Sequence, residues 1–223
     1  MRYIIQMIDN ITRTQMFITT HNSMICSGLN LKNLIILPKN SNKHPFSLID
    51  LNDETCRYFL KAPVADIIRY VLANKVILVE GPSEYILFDN FYKKIVNRGL
   101  YDDKIAVIDI RGLSFKRYLE IARLTSAKVA VVTDNDGFKS KRIDNLLKYE
   151  IDNRIKIFYN SNSILTTFES VLYEKNKDLF EKMNISIESL LKDKTESALE
   201  LVNKNVGLDV PDYIKDAIEW VRN

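Results

Sequence analysis

Cysteine is nearly absent from this 223-residue chain: Cys26 and Cys56 stand alone, in no metal-ligand spacing. Two such residues build no disulfide framework, and a reducing, cytoplasmic setting is the expectation. Long hydrophobic runs are absent too. No stretch approaches the ~18 apolar residues of a membrane span, and MRYIIQMIDN at the start lacks the apolar core of a signal peptide. There is no internal repeat and no low-complexity segment. No strong charge of one sign is present either, since 32 Lys and Arg face 29 Asp and Glu, for a formal charge of +3. That balance is compatible with a polyanionic partner without demanding one. What is abundant is apolar material, 46% of the chain, enough for one or two domains with a real core.

The course of the chain changes near residue 75. Before it, QMFIT (15–19) is a short apolar run ending in the polar turn THNS, and ICSGLNLKNLIILPKN reads as a small helix and a strand. KNSNKHP reads as a loop. Residues 52–73 hold helix-like apolar spacing (Tyr58, Phe59, Ala62, Ala65, Ile68, Leu72) interrupted by Pro63, which predicts a kinked or two-part helix. After it, KVILVE, KIAVIDI and KVAVVTD are continuously apolar and alternate with amphipathic stretches. The first of these stretches is expected to end at Gly99 and the second to be capped by Ser114. RIKIFYN adds a fourth, edge-type strand, and the remainder is helical in pattern. Buried strands alternating with helices predict an α/β fold with a mainly parallel sheet of about four strands and a helical C-terminal part.

In such sheets ligands gather at the carboxyl ends of the strands. Acidic residues stand at three of those ends: Glu80, Asp109, and Asp134 with Asp136. Asp134 and Asp136 are two apart, so in extended chain they face one side, and Glu84 follows Glu80 by one helical turn. Clustered carboxylates repel, and a divalent cation is the natural compensator. Hard oxygen donors without paired histidine or cysteine favour Mg²⁺ or Mn²⁺ over zinc. Each motif has a bland reading, as a solvated strand end or a helix-start carboxylate. Their conjunction on one sheet is the informative feature.

LVEGPSE followed by VVTDND resembles the Toprim domain of topoisomerases, primases and the OLD (overcoming lysogenisation defect) nucleases. VILVEGPSEYILF is most similar to the OLD family and its Gabija-type defence relatives. The resemblance, over residues ~74–200, implies metal-site and catalytic roles for Glu80, Glu84, Asp134 and Asp136. It implies Glu169 in TTFESVL as a further metal ligand, and a catalytic lysine at Lys194, with Lys192 as the competing position. It also implies a Mg²⁺- or Mn²⁺-dependent DNA endonuclease or nickase using two ions, with antiphage defence as its setting. Lys139, Lys141 and Arg142, just after the acidic pair, are the expected DNA-phosphate contacts. No recognition-helix or aromatic-interleaved motif is present, so little sequence specificity is expected.

QMFITTHNSMICSGL in turn resembles the last strand and switch histidine of an ABC-type ATPase head, with His21 as a nucleotide-sensing remnant and Asn22 where that family usually has serine. No phosphate loop, signature motif or apolar run ending in Asp-Glu accompanies it, so no ATPase activity is expected from this chain alone. The division that follows is an ATPase remnant over 1–45, a helical linker over 46–73 and the Toprim domain over 74–223. The chain is then a piece of a longer protein or a separately encoded C-terminal half whose partner is the ATPase portion, and homo-oligomers are compatible with this. Two rivals stay open: a non-catalytic Toprim-like module for dimerisation or binding, and a haloacid-dehalogenase-like phosphatase with Asp134 as nucleophile. The second leaves LVEGPSE unexplained.

Overall fold

Alternation of short apolar runs with polar turns produces two compact units in the computed structural model, which describes residues 15–22, 25–26, 34–37, 44–61, 64–111, 115–137, 141–150 and 153–223. One unit comprises Met1–Leu72 with Glu120–Ser126, the other Ala73–Leu119 with Ala127–Asn223.

In the first unit, β1 (Ile35–Ile36) pairs antiparallel with β2 (Phe46–Ser47). A 3₁₀ turn leads to α1 (Asp53–Lys61), whose first turn is capped by Asn52: its Oδ1 accepts the Thr55 N–H at 2.9 Å. Glu120 accepts from Asn52 Nδ2 at 2.7 Å and from the Thr55 hydroxyl. The helix restarts as α2 (Val64–Leu72) beyond residues 62–63, where the sequence carries Pro63. The two-part helix expected from Pro63 is therefore present. The strand expected at QMFIT is not: residues 15–22 carry no regular structure, and Phe17 is 83% exposed. Most of the helix expected around Ile25 lies outside the described residues. Cys26 and Cys56 are free thiols.

The second unit is built on β3 (Lys75–Val79), α3 (Pro82–Val96), β4 (Ile105–Asp109), α4 (Phe115–Ala122, crossing into the first unit at its end), β5 (Lys128–Val132), α5 (Lys141–Leu147) and β6 (Ile155–Phe158). Five helices complete it: α6 (Phe168–Lys175), α7 (Lys177–Lys182), α8 (Ile187–Lys192), α9 (Lys194–Asn203) and α10 (Asp212–Arg222). The four strands form one parallel sheet in the order β4-β3-β5-β6, with Val79 opposite Asp109 on one side and Val132 on the other. β6 is at the edge, as RIKIFYN predicted.

From β3 the chain steps to β4 on one side, then crosses back to β5 and on to β6. Right-handed crossovers therefore put α3 on one face and the start of α4 with α5 on the other. The α3 face carries the larger core: Ile77, Val79, Val107 and Val132 meet Leu87, Phe88, Phe91 and Tyr92 of α3, and Ile214, Ala217 and Ile218 of α10. The alternate strand positions Val76, Leu78, Val129 and Val131 are equally buried, which explains why these strands read as continuous apolar runs.

α3 stops at Val96, three positions before Gly99. Asn97 takes the left-handed turn (φ 57°) and its N–H reaches Lys93 O at 2.9 Å, so a residue that tolerates this conformation ends the helix and Gly99 does not. Ser114 lies outside the described residues.

Phe91 packs edge-on to Phe168, with ring centroids 6.4 Å apart, and so ties α3 to the start of α6. Phe91→Ala should cost about 3–5 kcal/mol of stability, measured by urea denaturation.

Candidate active site

At the carboxyl end of β3 the chain leaves the sheet at Glu80; distant in sequence but adjacent in space, β5 ends at Val132 and Thr133 follows it. β3 and β5 are the neighbours from which connections depart in opposite directions, the switch point where open α/β sheets leave a crevice. Glu80 Oε2 accepts the Thr133 hydroxyl at 3.0 Å and the Asp134 N–H at 3.2 Å, which locks the two strand ends together.

Gly81 and Pro82 turn the chain into α3, with Pro82 at the first helical position. A Cβ on Gly81 would lie 3.3 Å from Glu84 Oε2, so the glycine leaves room for that carboxylate to fold back over the helix start. Glu84 is only 6% exposed. Its carboxyl is pushed well above the usual range, by burial foremost and then by the charges of Asp134, Glu169 and Glu80, against a backbone hydrogen bond that lowers it. Asp134 is pushed up to about 7 by burial and by Glu80 and Glu169. Its Oδ1 accepts the Phe168 N–H at 2.7 Å, at the start of α6. Glu169, 5% exposed, follows and accepts Lys194 Nζ at 2.8 Å. Burial pulls the Lys194 ammonium down, but the hydrogen bond to Glu169 and the charges of Glu169, Asp134 and Glu84 hold it above its ordinary value.

Residues from the ends of two strands and from three helices, more than a hundred positions apart in sequence, thus share one electrostatic neighbourhood: Glu80, Glu84, Asp134, Glu169 and Lys194. Asp136 sits at the rim, 47% exposed at its side chain and at φ 50°, with Gly137 following at φ 90°. Asp109, the other acidic strand end, turns to its own loop: it accepts the Arg111 N–H at 2.7 Å. Lys192 lines a separate groove with Ser189 and Glu196. Lys141 is exposed at the start of α5, Lys139 lies outside the described residues, and His21 is exposed in the first unit.

Arg142 departs from expectation. Its guanidinium points inward, with Nη2 2.8 Å from Glu80 Oε2, Nη1 on Asp136 Oδ2, and a hydrogen bond from Nη2 to Thr133 Oγ1 at 3.2 Å. Three more residues of the site are uncharged, two of them within TDND, and the motif gives them no role. Thr133 bridges as described. Asn135, buried between the two aspartates, donates to the carbonyls of Asn160 and Asn162 at 2.7 Å and accepts the Gly137 N–H, which anchors the loop after β6. Tyr213, at the start of α10, has its phenol raised well above the ordinary range by burial and then by Glu84, Asp134, Glu169 and Glu80, so it stays a proton donor beside them.

Residues 71–136 match the model of the family described as overcoming lysogenization defect protein-like, TOPRIM domain. The matched span includes β3, Glu80, Glu84, β5, Asp134 and Asp136. Over this span the chain is similar to an OLD-family Toprim domain. Among solved structures, the C-terminal region of the Burkholderia pseudomallei OLD protein is 20% identical over 68% of this chain and 98% of its own, with a TM-score of 0.46. The C-terminal region of the Xanthomonas campestris pv. campestris OLD protein is 18% identical over 69% and 94%, with a TM-score of 0.39. No curated protein matches the chain.

Among the described residues, no three His, Cys, Asp or Glu side chains are arranged to hold a metal ion. Protein cations and N–H groups take up the carboxylates instead: Arg142 on Glu80 and Asp136, Lys194 on Glu169, and Phe168 N on Asp134. The donor chemistry still suits a hard divalent ion, because Glu84, Asp134 and Glu169 repel one another in a poorly solvated place with one lysine to compensate them. Among the described residues no helix is long and apolar enough to cross a membrane.

A carboxyl raised in the folded state keeps a proton that the unfolded chain has already lost. In metal-free solution the stability contributed by protonated Asp134 is therefore full below about pH 4 and is lost as pH rises toward about 7. Melting temperatures in EDTA across this window should fall as pH rises. Asp134→Asn should flatten the trend, and an unaltered slope in that variant would contradict the assignment.

Proposed function

We propose that this protein is a divalent-metal-dependent DNA nuclease, cleaving or nicking phosphodiester bonds at the crevice between β3 and β5. The observation that carries the reading is the junction of Glu80 with the Thr133–Asp134 strand end and buried Glu84, inside the span matched to the Toprim family, with buried Glu169 joining them from beyond it. Glu84, Asp134 and Glu169 would hold a first Mg²⁺ or Mn²⁺, and Glu80 with Asp136 would be the donors for a second. When bound, such an ion supplies a nucleophilic hydroxide at neutral pH and positive charge for the phosphate oxygens.

The chain's own side chains divide the remaining work. Lys194, at 45% side-chain exposure, reaches from Glu169 toward solvent and offers an ammonium to phosphate. Asn135 holds the loop after β6 in place along the crevice. Lys141 with Lys139 supplies phosphate contacts at the rim, whereas Arg142 is committed to Glu80 and Asp136.

We further propose that residues 1–45 derive from an ABC-type ATPase head, on the TTHNS sequence with His21, and that 46–73 link it to the Toprim part. The intact assembly would then pair this nuclease with an ATPase portion, in a cytoplasmic antiphage role.

A second reading, a Toprim-like module without catalysis, is favoured by one observation: among the described residues the carboxylates make no metal-holding group. Nicking separates the two. Glu80→Ala and Asp134→Ala should each lower Mn²⁺-dependent plasmid nicking by at least about a hundredfold, since each removes a group worth several kcal/mol at a metal centre. Nicking that is unchanged in both variants sinks the nuclease reading. A haloacid-dehalogenase-like activity would instead appear on small phosphate esters. Replacing Lys139 and Lys141 by alanine should lower the slope of log affinity for duplex DNA against log salt by roughly 1.8, about 0.9 for each lost phosphate contact; an unaltered slope removes them from the interface.

A further inference from the structure

We propose that the amino ends of β3, β5 and β6 form a second nucleic-acid contact, in which Lys75, Lys128 and Lys156 hold backbone phosphates of DNA that extends beyond the crevice. The inference rests on the nuclease reading and adds to it a surface at the opposite end of the sheet from the carboxylates.

Strand register sets the three lysines on one face. Lys75 and Lys128 are direct partners at the first positions of β3 and β5, and Lys156 stands on β6 opposite Ala130. Side chains two apart along a strand share a face, so Lys75 goes with Ile77 and Val79, Lys128 with Ala130 and Val132, and Lys156 with Phe158, all of them on the side of the core that α10 covers. Neighbouring strands lie about 4.8 Å apart, which makes a row roughly 10 Å long, open at the edge strand β6.

Like charges directly opposite each other on adjacent strands are destabilising, and here they are only partly neutralised. Lys75 donates to the Arg222 carbonyl at the end of α10. Asp103 lies near Lys75, but it accepts the Tyr92 hydroxyl and faces Arg98 at 3.6 Å and Arg222 at 3.7 Å. Lys128 Nζ lies over the Trp220 ring, 4.5 Å from its centroid, and among the described residues no carboxylate pairs with it. Burial foremost, and then Lys75, pull its ammonium below the usual lysine range. Lys156 is exposed, with its Nζ 5.3 Å from the centroid of Phe158, and Phe158 in turn meets Trp220 at 5.9 Å. The aromatic pair thus fixes two ammonium groups without cancelling their charge.

Arriving phosphate relieves this repulsion, so the cost in the free protein is returned on binding. A row along three strands suits a chain of phosphates better than a single small anion, for which the ammonium groups would converge on a pocket. Duplex DNA offers such a chain, with one negative charge per about 1.7 Å of axis. α10 joins the two ends of the sheet: Tyr213 near its start lies beside the carboxylates, and Trp220, two helical turns later, stands about 10 Å further along the axis. DNA that is seated at the crevice and follows the α10 face reaches the lysine row.

Methionine in place of lysine keeps the apolar stem over the aromatic ring and removes the charge, which separates phosphate contact from packing. In EDTA, where no strand is cut, Lys128→Met combined with Lys156→Met in the full chain should lower the slope of log affinity for a labelled duplex against log salt by roughly 1.8, about 0.9 for each lost contact. If the double variant does not fold, Lys156→Met alone, at an exposed position, carries the test with an expected drop of about 0.9. An unaltered slope overturns the proposal, whether or not the melting temperature changes. So does a loss of affinity for polyglutamate without one for DNA, which would assign the row to an acidic protein. Mn²⁺-dependent nicking that persists beside an unaltered slope leaves the nuclease reading standing without this surface, whereas a slope that falls while the wild type does not nick keeps the surface and removes the nuclease reading.

Discussion

Everything at the open end of this sheet answers to one constraint: too many carboxylates in too little solvent. Glu84 and Glu169 are almost fully buried, Asp134 is partly so, and Glu80 lies between them and the rim. Against them the protein sets Arg142, Lys194 and a helix-start N–H at Phe168. Unpaired, such a group of ionised side chains would shift toward the protonated form, as Glu84 and Asp134 do. A region under this tension is poised to take up a cation, a proton or an anionic ligand's counter-charge, which is why the chemistry and the stability of the domain are coupled there.

The sheet makes that concentration of charge possible. Order β4-β3-β5-β6 places the ends of β3 and β5 side by side although 53 residues separate Val79 from Val132, and the register pairs these two residues directly. The interior beneath is apolar on both faces, with α3 and α10 closing one of them. The helical C-terminal part has a second task beyond covering that face. It delivers Glu169 and Lys194 from α6 and α9, and Tyr213 from α10, to a crevice whose floor is laid by the strands.

Much of this was readable in the amino-acid order. Continuous apolar runs marked β3, β4, β5 and β6, since strands buried on both faces show no alternation. EGPSE and TDND marked Glu80, Glu84, Asp134 and Asp136 because polar residues at the ends of such strands face the ligand side. Other features were not readable, each for a local reason. Asn97 and Gly99 are both plausible helix ends, and only the backbone conformation shows that Asn97 takes the turn. An apolar run such as QMFIT looks like a strand, yet a strand needs a ladder partner, and among the described residues it has none. Arg142 looks like a surface cation in KSKR. Its direction depends on which carboxylates the sheet brings within reach.

The sequence by itself determined the α/β class, the parallel strands, the helical tail and the identity of the acidic residues, because periodicity and strand-end chemistry are local properties of the chain. Tertiary structure alone decided which of those acids share one field, that Arg142 is spent on Glu80 and Asp136, that Lys194 and not Lys192 meets Glu169, and that Tyr213 joins them. These depend on strand order and on the packing of helices distant in sequence. Coulomb interaction acts through space over a few ångströms, and the order of residues does not encode that distance until the chain is folded.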